Sequence, residues 1–108
     1  MFIISLAKWD LVYQCLPREV KIMPEICRFL GIVIKMFYDD HNPPHFHAVY
    51  GDYEAIFSIE TLQMTKGNMP ARVQGLIIEW ASLHREELKE NWRLVTEEQT
   101  FKKIQPLV

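Results

Sequence analysis

Cysteine is scarce in this chain, with only Cys15 and Cys27 among 108 residues and no C-x-x-C spacing. That excludes a disulfide-stapled secreted scaffold, a zinc ribbon and a thioredoxin-like redox motif, and leaves two reduced, structural thiols. Also missing are a Walker loop, a dinucleotide-binding glycine fingerprint and an H-E-x-x-H helix, so the most readable nucleotide and zinc-protease chemistries are excluded. Long apolar runs are absent too. The N-terminal stretch from Phe2 to Ala7 gives way to Lys8, Trp9 and Asp10, too early for a signal core or a membrane span. Positive charge is not in surplus: 12 Lys and Arg against 14 Asp and Glu leave a net charge of −2. No global field therefore draws the protein toward phosphate backbones or anionic lipid, and any nucleic-acid contact needs a local patch. A cytoplasmic protein without a membrane segment is expected.

What remains is ordinary for one folded domain: 49% hydrophobic, 24% charged and 12% aromatic residues. Gly31 opens a run rich in β-branched and aromatic residues, Ile32 to Tyr38, which reads as a strand. A loop, Asp39 to Pro44, separates it from a second strand, His45 to Tyr50. Gly51-Asp52 suits a two-residue type II′ hairpin turn leading into a third strand, Tyr53 to Ile59. That turn sets the register: Tyr50 opposes Tyr53, Ala48 opposes Ala55, His47 opposes Ile56, Phe46 opposes Phe57 and His45 opposes Ser58. Phe46, Ala48, Ala55, Phe57 and Ile59 then share the core face with Tyr50 and Tyr53. His45, His47, Val49, Glu54, Ile56 and Ser58 share a mixed polar surface on the reverse. Leu62 to Lys66 allows a fourth strand. From Pro70 onward Val73, Leu76, Ile77, Trp80, His84, Leu88, Trp92 and Val95 recur at helical spacing, which predicts one long helix broken at Thr96 to Thr100. Phe101 to Leu107 reads as a C-terminal strand or arm. The expected fold is α+β, a small antiparallel sheet of three to four strands packed against one long helix.

The segment H-N-P-P-H-F-H-A-V, His41 to Val49, holds three of the four histidines. Alternate strand positions put His45 and His47 on one face, and Pro43-Pro44 stiffen the approach. Two imidazoles so placed can bind a divalent transition metal, with His41, Asp39, Asp40 or Glu54 completing the set. The plainer reading is a pair of histidines bonded to backbone and water. Without a metal, His45, His47 and Glu54 offer acid–base groups for RNA cleavage, with Lys35, Arg72, Lys102 or Lys103 balancing phosphate charge. His84 and Trp80 lie on the apolar stripe and read as core. The aromatic content is high for one small sheet, so Trp92, Phe101, Tyr38 and Phe37 are candidates for a partner-docking patch.

From Met23 the runs M-P-E-I-C-R-F-L-G-I-V-I-K-M-F-Y-D-D-H-N-P-P-H-F-H-A-V-Y-G-D-Y-E-A, I-I-E-W-A-S-L-H-R-E-E-L-K-E-N-W and K-K-I-Q-P-L resemble a bacterial family known as domain of unknown function 4160. The resemblance covers about residues 23–108. It implies a small stand-alone cytosolic protein encoded beside a second small protein, in an arrangement that looks like a toxin–antitoxin pair; that neighbour is the expected partner, with RNA as a further target. Residues 1–22 lie outside it. The expectation is that they are translated leader, since Arg18-Glu19-Val20 can be encoded by a purine-rich ribosome-binding sequence ahead of Met23. The alternative is a short amphipathic helix using Leu6, Trp9, Leu11, Val12 and Leu16.

Overall fold

A computed structural model describes residues 24–108. The readings made for residues 1–22 and Cys15 lie outside those residues. Five strands form one antiparallel sheet in sequential order: β1 (Glu25–Phe29), β2 (Ile32–Lys35), β3 (His45–Tyr50), β4 (Tyr53–Ser58) and β5 (Met64–Gly67). Two helices follow, α1 (Ala71–Leu83) and α2 (Arg85–Arg93), the second continuing into a π-helical turn over Leu94–Glu98. The expected three or four strands against one long helix are thus corrected to five strands and two short helices.

Both differences have local causes. In β1 the pairing slips between Glu25 and Cys27, so Ile26 and Cys27 are both buried. A bulge of this kind erases the alternation by which a strand is read. The turn into β2 is Leu30-Gly31, with φ of 50° and 79°, and leucine carries no turn signal. The helix breaks at His84, whose φ of −123° leaves the helical region and whose N–H closes a tight turn on the Ala81 carbonyl. One residue of interruption leaves the apolar stripe aligned: Trp80, Leu88 and Val95 are all fully buried. Residues 101–108 form an arm without strand pairing of their own. It is held by Asn91, whose side chain donates to the Lys102 carbonyl and accepts from the Lys102 N–H at 2.8 Å each. Trp80 Nε1 donates to the Gln105 carbonyl at 2.8 Å, and the Ile104 N–H donates to Ile26.

The central hairpin matches the sequence expectation pair for pair, from Tyr50 opposite Tyr53 to His45 opposite Ser58. Gly51 has φ of 58° while Asp52 stays at negative φ, the sign pattern of a type II′ turn. Phe46 and Phe57 stack on the core face with ring centroids 5.4 Å apart, and Trp80 meets Phe46 edge-on. Each such fully buried ring contributes about 1.5–3 kcal/mol. That packing fixes which face His45 and His47 occupy. Among the described residues no helix is long and apolar enough to cross a membrane.

Candidate metal centre

After β2 the chain runs through residues 36–44 before returning as β3. It is pinned at both ends, by the Met36 N–H on the Pro24 carbonyl and the Ile59 N–H on the Pro44 carbonyl. Between those pins Phe37 to Asp40 close a turn, in which the Asp40 N–H donates to the Phe37 carbonyl and the Phe37 N–H donates to Asp40 Oδ2, both at 3.2 Å. The turn aims the Asp40 carboxylate at the start of β3.

There Asp40 Oδ2 lies 3.4 Å from His45 Nε2 and 3.4 Å from His47 Nε2. The three ligand atoms lie within 4.8 Å of one another. His45 is oriented from behind, because its Nδ1 donates to the Pro43 carbonyl at 2.8 Å, which leaves Nε2 as a lone-pair donor. His47 Nε2 is buried and has no hydrogen-bond partner among the described residues. Burial pushes the His47 imidazole below its ordinary range, with the nearby Asp40 charge opposing and His45 reinforcing the shift. His47 is therefore neutral near pH 7, the form that ligates metal.

The distances discriminate between two readings. A direct imidazolium–carboxylate hydrogen bond closes to about 2.7–2.9 Å. Two ligand atoms on one tetrahedral zinc, each about 2.0–2.2 Å from the ion, sit roughly 3.4 Å apart. The two 3.4 Å edges from Asp40 are longer than the first and of the size the second requires, with all three ligand atoms within 4.8 Å of one another. A histidine whose far nitrogen donates to a backbone carbonyl is also the usual support of a metal ligand.

The walls are aromatic. Phe37 packs edge-on against His47 with centroids 4.4 Å apart, and Trp92 approaches the His45 ring at 5.1 Å. His47 is only 8% exposed, so the mixed polar surface expected for this face is corrected: the 36–44 loop covers it at the His47 end. Of the residues singled out in the sequence, Asp40, His45 and His47 come together. His41 and Asp39 are exposed and outside the ligand group. Glu54 is exposed opposite Val49, near enough for its charge to act on His47 yet outside the group. The four cations do not form one patch. Lys35 lies opposite His47, Arg72 lines a separate cleft with Tyr50 and Leu76, and Lys102 and Lys103 sit beside Glu86 and Glu90. Trp92 is buried, while Phe101, Tyr38 and Phe37 are half-buried, so these rings form no freely exposed patch. His84 is half-buried between the Trp80 ring and Glu87. The supports that sequence reasoning missed are the Pro43 carbonyl and the Phe37 amide, backbone groups with no side-chain signature.

A family model described as Domain of unknown function (DUF4160) matches residues 31–93. The chain belongs to the DUF4160 family. The matched DUF4160 segment is narrower than the 23–108 resemblance, yet it contains Asp40, His45, His47 and Trp92, while β1 and the C-terminal arm fall outside it. No curated protein and no solved structure matches the chain.

Proposed function

We propose that this DUF4160 protein binds a divalent first-row transition metal through Asp40 Oδ2, His45 Nε2 and His47 Nε2. The observation that carries the reading is the buried, unpartnered His47 Nε2 facing a carboxylate oxygen at 3.4 Å. Leaving a buried imidazole nitrogen unpaired costs about 1–3 kcal/mol, and a cation removes that cost. Three protein ligands are the number found in catalytic sites, where a fourth position stays open to water or substrate. Zinc at a hundredfold excess over its dissociation constant contributes about 2.7 kcal/mol to stability, so the melting temperature should rise by roughly 10 °C. Both His45→Ala and His47→Ala should abolish the rise. An unchanged wild-type melting temperature with saturating zinc and nickel would sink the reading.

A second reading, compatible with the first, is a two-gene bacterial toxin–antitoxin-like module acting in the cytoplasm through the neighbouring gene's product. Its support is the sheet face turned away from α1, where Val33, Val49 and Ile56 remain half-buried. Co-expression and pull-down with the neighbouring gene product tests it.

A further inference from the structure

Beside His45 lies a cleft of about 400 Å³ between the 36–44 loop and strands β4 and β5. It is large enough for a small organic ligand. His45 forms part of its wall as well as part of the metal cluster, whereas Asp40 and His47 do not line it, so the cleft and the cluster adjoin at His45. Among the described residues no Asp or Glu lines this cleft. Its polar lining is His41, Asn42, His45, Ser58, Thr65 and Lys66, of which Lys66 and Ser58 offer donors to an anion. Lys66 is exposed, with no ion pair among the described residues. Ser58 Oγ accepts the N–H groups of Glu60 and Thr61 at 3.1 Å each, so its O–H is left to donate. Thr65, by contrast, donates its hydroxyl to the Ile56 carbonyl. Pro43, Pro44 and Ile56 supply apolar walls.

Resting on the metal reading above, we infer that this cleft binds a small phosphomonoester, its phosphate bridging the metal ion and Lys66 and its organic body lying against Pro43, Pro44 and Ile56. A phosphate has enough terminal oxygens to meet the ion, the Lys66 ammonium and the Ser58 hydroxyl at once, whereas a carboxylate has two. A polymeric phosphate chain fits less well. Lys35, Arg72, Lys102 and Lys103 trace no continuous track, and Glu54 lines the next cleft along, which shares Lys66.

The test is calorimetric titration of phenyl phosphate into manganese-loaded protein, with 31P relaxation of the bound phosphate reporting its closeness to the paramagnetic ion. Lys66→Met should weaken phenyl phosphate binding about tenfold or more while manganese affinity, followed by electron paramagnetic resonance, stays unchanged. Ser58→Ala should weaken it less. Equal affinity in wild type and Lys66→Met, or benzoate binding as tightly as phenyl phosphate, would overturn the inference while leaving the metal site standing. If manganese, zinc and nickel all fail to bind, the metal reading falls by itself, and the same titration on metal-free protein decides the cleft. Lys66-dependent binding there would keep the phosphate site, and no binding would end it. An RNA oligonucleotide outcompeting phenyl phosphate at equal phosphate concentration would overturn the small-ligand assignment.

Discussion

Three side chains from an eight-residue stretch of chain, Asp40 to His47, meet because each is aimed by its local backbone. Asp40 is held by the Phe37 amide, His45 by the Pro43 carbonyl, and His47 by its place on β3 with Phe37 packed against its ring. Burial of His47 has a measurable consequence in the metal-free protein. Its imidazole titrates below the ordinary 6.5 in the fold and near 6.5 in the unfolded chain. Between those values the unfolded state binds more protons, so stability rises with pH; the contribution is present above about 6.5 and is lost as pH falls through the folded value. Melting temperature should therefore drop on acidification below pH 6.5, and His47→Asn should flatten that part of the profile. Identical slopes in the two proteins would show that His47 is not the group responsible.

At the level of elements, two glycines with positive φ carry very different constraints. Gly51, at φ of 58°, has nothing within 4 Å of a built Cβ, whereas Gly67, at φ of 93°, would place one 2.3 Å from the Glu54 carbonyl oxygen and 2.7 Å from Ala55 Cα. Gly51→Ala should cost only the conformational strain, about 1–2 kcal/mol. Gly67→Ala adds a backbone clash at the β4–β5 pairing and should cost roughly 3 kcal/mol or more. Denaturant unfolding of the two variants separates these outcomes, and equal losses would mean that β5 does not pack on β4 as described. The contrast also marks what was legible. Gly51-Asp52 announces its turn and with it the whole β3–β4 register. The bulged β1 and the break at His84 carry no residue-level signal, and in the Leu30-Gly31 turn only Gly31 does, because a bulge, a leucine at positive φ and a one-residue interruption leave no mark in residue type.

At the scale of the molecule, charge among the described residues is scattered instead of gathered. Arg93 is engaged by Glu90 and Glu98, Arg28 by Glu25, and Lys89 by Glu86. These are exposed pairs that add little stability, but they consume cations that a polyanion would need. With a net charge of −2, the protein should give no mobility shift with single-stranded RNA at micromolar concentration and 150 mM salt, about the physiological ionic strength. A salt-sensitive shift in that assay would point to a basic track that the described surface lacks.

Turn chemistry and alternation were enough for the hairpin, its register, the buried Phe46, Ala48, Ala55 and Phe57, and the placing of His45 and His47 together on the other face, whereas Tyr53, expected on the core face, is exposed and Tyr50 half-buried at the sheet's end. Alternation and turn chemistry act between near neighbours, and no distant contact is required to enforce them. That Asp40, rather than His41 or Glu54, joins the two histidines, and that Trp92 lies against His45, follows from long-range packing alone. Nothing local aims a loop carboxylate or a helix residue at a strand. Those positions follow from where the pinned 36–44 loop and α2 are carried when Phe46, Phe57 and Trp80 close the core.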